Sequence, residues 1–408
     1  MKRNCLFILV DCLRADKCWG ENRTSKTPTI DSLCSRGTTF TQTIAAATNT
    51  TTSVASILTG LYPFAHGIRP YYGKKLSSDV ITLAEVFKRN GYHTYAEVEG
   101  PLVPQIGIGR DFDYYCFRNK SDNMYSPWYD NLLIKFKNKE LKEPYFSFIH
   151  FFELHIPRLV AREYNSAKFG KSRYERALSS LDAGLKKLLD CIDNDTVIVL
   201  HADHGEKYGE TIIERLFPEV ETYYSKLRRK LRKTKDQLSH IGHGFHVYDY
   251  LLRVPLIFVG KDIFPRGERV MDQVRSVDIF PTLVEALGLK HENIKQIHGR
   301  SLLPLISGEE LPEVPAYCEA SKGLFGDRTR LLTGIRTAKY KYVCAPNADN
   351  IPAELYDLEN DPKEKNNILT RRPDVVQELK QQLQKIRKEE MMTIEKRKIR
   401  KLKALSKI

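Results

Sequence analysis

Five short runs limit what this chain can fold into. They are CLFILV (5–10), HTYAEV (93–98), YFSFIHF (145–151), TVIVLH (196–201) and PLIFVG (255–260). Each has the length and residue types of a strand, and helix-compatible stretches fall between them. TLAEVFKRNG (82–91) carries apolar residues at helical spacing, with Gly91 as a C′ residue. SRYERALSSLDAGLKKLLDCI (172–192) reads as an amphipathic helix. Strands buried on both faces and alternating with helices require a mainly parallel sheet covered by helices. The predicted fold class is α/β, a central sheet sandwiched by helices.

In such sheets ligands bind beyond the carboxyl ends of the strands. The first strand ends at Asp11, and the strand at 196–201 runs into HADHG, giving His201, Asp203 and His204. A third segment, ATNTTTSVASILTG (47–60), sets Thr50, Thr51, Thr52 and Ser53 side by side before a helix-compatible run that stops at Gly60. A hydroxyl is a poor nucleophile near neutral pH unless a base or a metal activates it. Asp11, Asp203, His204 and one of these hydroxyls supply the donors for one divalent cation. Each piece alone has a plainer reading. An aspartate after a strand is commonly a turn residue, and a Thr/Ser run before a helix is commonly an N-cap.

At 408 residues the chain holds one large domain or two. No run approaches the roughly 18–20 apolar residues that span a bilayer. The opening MKRNCLFILVDCLRAD has too short an apolar stretch for a signal h-region, so it reads as the first strand of a cytoplasmic protein. Eight scattered cysteines without a C-x-x-C pair read as reduced thiols. The formal charge of +14 favours anionic partners, such as phosphate or sulfate esters, nucleic acid or anionic lipid surfaces. Beyond about residue 310 the texture changes. RTRLLTGIRTAKYKYVCAP (328–346) looks like two short strands, and the chain turns basic and helical after Pro373. The expected organisation is a catalytic α/β domain over 1–310, a small antiparallel subdomain over 311–368 and a basic helical tail over 369–408. A basic helical insertion is expected within 206–242, from VETYYSKLRRKLRKTKDQL (220–238).

Ordered segments over most of the chain resemble the sulfatase-like branch of the alkaline phosphatase superfamily. They include ILVDCLRAD, TPTIDSLCSRGTTF, TTTSVASILTGLYPFAHGI, FFELHIP, HADHGEKYGE, GHGFHVYDYLLRVPLIFVG, SVDIFPTLVEALGL and ELYDLENDPKEKNNI. The resemblance implies metal ligands at Asp11, Asp203 and His204. In a sulfatase the nucleophile is a cysteine converted to formylglycine within C-x-P-S-R-x-S-L-L-T-G. Aligned on SILTG, that position is Thr50, which the resemblance makes both nucleophile and metal ligand. Val54 stands at the arginine and Thr52 at the proline, so formylglycine is not expected. A formylglycine hydrate can shed sulfate by collapsing to the aldehyde, whereas a threonine needs water to attack its covalent intermediate. That route suits a phosphoryl-threonine, as in threonine-dependent phosphodiesterases of the same superfamily. Cys12 stands where many relatives carry a second aspartate: either Asp11 suffices as the one ligand on that strand, which is the reading preferred here, or Cys12 approaches the metal, where a thiolate would suit zinc rather than a hard cation. Four residues after Asp182 the chain has Lys186 rather than histidine. One divalent ion is therefore expected (Mn, Ca, Mg or Zn).

By the resemblance, His155 in ELHIP matches the family's substrate-contacting histidine, and His243 in GHGFHVYD stands where relatives place a lysine or a histidine at the pocket. A histidine there can protonate a departing alkoxide. Arg14, Lys207 and His246 are expected anion contacts, with bracing or solvated roles as their plainer readings, while His66 reads as structural. The expected activity is hydrolysis of phosphate esters through Thr50. Alternatives are sulfate ester hydrolysis, transfer of a phosphoryl headgroup and polyanion binding on an inactive scaffold. The expected partner is a small or polymeric anionic ester, with polyanion or anionic membrane contact through the basic helices. The oligomeric state stays open.

Overall fold

The computed structural model describes residues 2–69, 75–208, 242–291, 297–320, 331–346 and 351–405. The basic helix expected at 220–238 lies outside them, as does most of the 206–242 insertion. Eight strands form the main sheet: β1 (Cys5–Val10), β2 (Thr38–Ile44), β3 (His93–Val98), β4 (Tyr114–Phe117), β5 (Tyr145–Phe151), β6 (Val197–Ala202), β7 (Arg253–Val259) and β8 (Glu268–Arg275). Their order is β4-β3-β5-β1-β6-β7-β2-β8. Among them β7 alone runs against its neighbours, so the sheet is mainly parallel.

The five apolar runs became β1, β3, β5, β6 and β7, while β2, β4 and β8 left weaker traces. β4 and β8 are edge strands with several exposed residues, so they lack a continuous apolar run. β2 is buried, but threonines supply much of its β-branched surface (TTFTQTI). β1 shows how the middle of the sheet is built. Cys5, Phe7 and Leu9 enter the apolar layer on one face, and Leu6, Ile8 and Val10 enter the layer on the other. Fully burying each of the large side chains contributes roughly 1.5–3 kcal/mol.

The helix Arg173–Leu189 starts at a capping box of Ser172 and Glu175. It buries Tyr174, Ala177, Leu178, Leu181, Leu185 and Leu188 at helical spacing. Its Asp182 accepts the amides of Thr29 and Ile30, both at 2.9 Å, in the first turn of the helix Pro28–Arg36. That helix has no side-chain bond from its own N-cap residue, Thr27. Asp182 therefore caps a neighbouring helix.

The second sheet is antiparallel, ordered β12-β11-β10-β9, from β9 (Ala316–Ala320), β10 (Leu332–Arg336), β11 (Tyr340–Cys344) and β12 (Glu354–Asp357). The helix Pro373–Leu405 buries Val375, Leu379 and Leu383, one face at i, i+4, i+8, and exposes Met391 and Met392 further on. No helix among the described residues is long and apolar enough to cross a membrane.

Asp249 joins the two sheets. It takes Arg336 through Nε at 3.0 Å and Nη2 at 2.8 Å, and Lys341 through Nζ at 2.8 Å. Arg336 and Lys341 are buried. Asp249→Ala leaves two buried cations without this partner and is expected to cost about 3–5 kcal/mol in urea unfolding. Burial opposes the charge on Asp249, but Arg336 and Lys341 outweigh it and hold the carboxyl well below its ordinary range. The stabilisation is therefore present above about pH 4 and is lost as pH falls further. An unchanged acid limb in Asp249→Ala counts against this account.

Candidate active site and metal centre

Parallel register brings the carboxylates together. Val10 pairs with Phe151 of β5 and with Ala202 of β6, so Asp11 and Asp203 leave adjacent strands at one level. Thr50 opens the helix Thr50–Thr59, whose N-cap Asn49 accepts the Thr52 amide at 3.2 Å. Gly60 ends that helix at φ 65°, a left-handed conformation that favours glycine. Ser53 Oγ donates to the Asp203 carbonyl and ties the helix to the end of β6. Thr50 Oγ1 then lies 3.0 Å from Asp11 Oδ2 and 3.2 Å from His204 Nε2. Asp11, Asp203, His204 and Thr50 are all buried.

His204 Nδ1 is 2.8 Å from the Gly205 carbonyl. A carbonyl only accepts, so Nδ1 carries the proton and Nε2 presents a lone pair to Thr50. Burial first, and the neighbouring His243 second, hold the His204 pKa down to about 3, which keeps the ring neutral. Gly205 is required by close approach, because a Cβ there would lie 2.1 Å from the Tyr250 carbonyl oxygen.

Asp203 Oδ1 accepts the amides of Cys12 at 3.2 Å and His204 at 2.8 Å. Its Oδ2 is buried without a hydrogen-bond donor among the described residues. Burial, and then the Asp11 carboxylate, push the Asp203 carboxyl well above its ordinary range. One oxygen of Asp11, one of Asp203 and one ring nitrogen of His204 lie within 4.8 Å of one another. Two buried carboxylates, one short of a donor, beside a neutral imidazole lone pair suit a divalent cation. The donor set fits the group that the sequence implied.

The remaining expected residues divide. His155 and His243 flank the cluster. The His243 ring centroid is 4.2 Å from that of His204 and 5.2 Å from that of His155. His155 bonds the Ile156 carbonyl through Nδ1 at 2.8 Å and stacks on Phe152, and burial first among several causes lowers its pKa. Arg14 is occupied. It forms two 2.8 Å bonds to Asp16, one of 3.2 Å to the Glu206 carbonyl, and packs over Tyr208 and Tyr250. Lys207 pairs its backbone with Gly242 in both directions, at 3.2 and 2.9 Å, and burial lowers its ammonium pKa. His246 is drawn toward the second sheet, 3.0 Å from Glu354 and stacked on Tyr248. His66 is buried, accepting the Ile68 amide at Nδ1 and meeting Ser56 Oγ at 3.0 Å.

Two residues at the site escaped the sequence reading. His150, fully buried on β5, places Nε2 3.5 Å from Asp11 Oδ2. A polar residue near the carboxyl end of an apolar strand, FIHF, was its one signal. Glu206, 1% exposed, lies 3.2 Å from His243 Nδ1 and 3.5 Å from Cys12 Sγ. A glutamate two residues past His204 gave no comparable sign.

A family model described as Sulfatase matches residues 3–289, and one described as N-sulphoglucosamine sulphohydrolase, C-terminal, matches 243–389. An ulvan-active sulfatase of Formosa agariphila is 22% identical over 427 residues, covering 90% of this chain and 76% of that protein. Arylsulfatase K of Xenopus laevis is 30% identical over 146 residues; the match covers 34% of this chain and 27% of that protein. Among solved structures, a phosphonate monoester hydrolase of Agrobacterium radiobacter superposes with a TM-score of 0.75 at 19% identity. That superposition covers 95% of this chain and 96% of the other.

Proposed function

This chain belongs to the sulfatase family, and from that premise we propose that it hydrolyses phosphate or phosphonate esters with Thr50 as nucleophile. The observation that carries the reading is the placement of Thr50 Oγ1 at 3.0 Å from Asp11 Oδ2 and 3.2 Å from His204 Nε2. Asp11, Thr50, Asp203 and His204 are the proposed ligands of a divalent cation. When bound, that cation lowers the hydroxyl pKa and offsets negative charge on the ester oxygens.

Thr50 Oγ1 attacks phosphorus and gives up its proton toward Asp11 Oδ2. Amides in the first turn of the helix Thr50–Thr59 favour an anionic group at that end. The bond from phosphorus to the leaving oxygen breaks, and the His155–His243 pair supplies the proton to that oxygen. Water then attacks the phosphoryl-threonine and releases Thr50. A threonine has no aldehyde to collapse to, which supports phosphorus over sulfur.

Sulfate ester hydrolysis at the same residue is the second reading, favoured by the match to a sulphohydrolase C-terminal region. Aryl phosphate, phosphonate monoester, phosphodiester and aryl sulfate, assayed in parallel with a divalent metal, separate the two. The first reading expects kcat/KM for a phosphorus ester to exceed that for the sulfate by at least about tenfold, a difference of about 1.4 kcal/mol in barrier. The reverse order overturns it. The proposed compartment is the cytoplasm, supported by eight cysteines that are all free thiols. The basic end of the helix Pro373–Leu405, with exposed Met391 and Met392, is the proposed contact for a polyanion or an anionic membrane surface.

A further inference from the structure

Beside Asp11, Asp203 and His204 stands another set of donors, of which the proposed reaction uses His243 alone, as part of the proton-donating pair. Cys12 Sγ, Glu206 Oε2 and His243 Nδ1 form a triangle with sides of 3.5, 3.2 and 3.7 Å. Zinc binds sulfur at about 2.3 Å and nitrogen or oxygen at about 2.0–2.1 Å, so tetrahedral ligands sit roughly 3.3–3.6 Å apart. One side falls within that range and the other two lie about 0.1 Å outside it. Two further observations concern the same residues. Glu206 Oε2 meets Cys12 and His243, while the other oxygen of the same carboxylate, Oε1, is buried with no hydrogen-bond partner among the described residues, so the carboxylate has an oxygen left over for a cation. Cys12 also sits at φ 63°, a left-handed conformation costly for a residue with a Cβ, and this is the conformation in which its sulfur meets Glu206 and His243.

We propose that Cys12 Sγ, Glu206 Oε2 and His243 Nδ1 hold a second divalent cation with a preference for sulfur, zinc above magnesium or calcium. The site stands on its own donors and goes beyond the Thr50 reading, with a metal count above the single ion the sequence suggested. Asp11 lies between the two sites, with Oδ2 3.0 Å from Thr50 Oγ1 and Oδ1 2.7 Å from Cys12 Sγ. Binding displaces the Cys12 thiol proton to solvent, and His243 ligates through the Nδ1 lone pair in the neutral tautomer that carries its one proton on Nε2. His243 then keeps a proton on Nε2 and acts as a neutral hydrogen-bond donor, which leaves His155 to move the proton to the leaving group.

The test is a Co2+ titration of the chelator-stripped full chain, followed by absorption. The expected result is a thiolate-to-cobalt charge-transfer band with intense visible bands, saturating at about one Co2+ per chain for that signal. Zn2+ should bleach it. Cys12→Ser should abolish the band while Co2+ still binds at the carboxylate site, and Glu206→Gln should weaken the band-forming affinity at least about tenfold. Circular dichroism establishes that each variant folds, and Cys12→Ala replaces the serine variant if it does not. Thr50→Ala should keep the band, so this site and the Thr50 reading fail independently. Absence of the band in the wild-type chain, or its survival in Cys12→Ser, overturns the proposal.

Discussion

Thr50→Ala is expected to lower kcat/KM by at least about 10⁴-fold, because removing a nucleophile leaves only binding and electrostatic stabilisation. The fold should survive. The substitution deletes one hydroxyl that bonds Asp11 and His204, a loss of about 1 kcal/mol. Asn49 still caps the helix, and Ser53 still ties it to the Asp203 carbonyl. Thr51 is the control. It is the next residue on the same helix and is partly exposed, whereas the hydroxyl that meets Asp11 and His204 is that of Thr50. Thr51→Ala should change kcat/KM less than about threefold, within the range of a surface substitution. Steady-state rates and thermal melts on the three proteins decide the matter. Equal losses at positions 50 and 51 would mean that the hydroxyl on Asp11 is not the nucleophile.

Asp203→Asn should separate stability from function. In the chelator-stripped protein an asparagine can keep the bonds that Oδ1 accepts from Cys12 and His204. Its amide nitrogen, at the place of Oδ2, lies near 3.2 Å from the lone pair of His204 Nε2 and can donate to it. A buried carboxylate with one oxygen short of a donor is replaced by a neutral amide that can donate from that position, so metal-free stability should rise by about 1–3 kcal/mol. The sign with pH follows from burial and Asp11, which raise the Asp203 pKa in the fold. An acid held above its unfolded value favours folding when protonated and opposes it once ionised. The gap between variant and wild type should therefore open as pH rises above about 4. With metal the order should reverse, since the wild type gains binding energy that the asparagine has lost. Denaturation with and without metal, at two pH values, measures both signs. A metal-free variant no more stable than wild type at neutral pH would contradict the account.

Much of this site could be read from the chain because strand ends are visible in it. A short apolar run ending in aspartate gave Asp11, and another running into DHG gave Asp203 and His204. What relates them is register, and register appears only once β1 lies between β5 and β6. His150 was hidden for that reason, since its relation to Asp11 crosses from one strand to the next. Glu206 was hidden because His243, its partner, lies across the 206–242 insertion. Arg14 teaches the opposite lesson. Its partner Asp16 is two residues away, yet charge and position alone suggested an anion contact, whereas the guanidinium is engaged by a carboxylate, a carbonyl and two rings. In the fold, β4 and β8 were faint because an edge strand needs no unbroken apolar run. The direction of β7 left no mark, because burial on both faces looks the same whichever way a strand runs.

The backbone pairing of Lys207 with Gly242 makes a doorway. Everything between those residues departs and returns through one pair of amides, three residues from His204 on one side and one from His243 on the other. Closing a loop costs only about 0.6 kcal/mol more for each doubling of its length. A flexible segment of another length could therefore join these two residues at little extra closure cost while their pairing stays fixed. That makes positions 207 and 242 natural splice points for joining a different segment to an unaltered reaction centre.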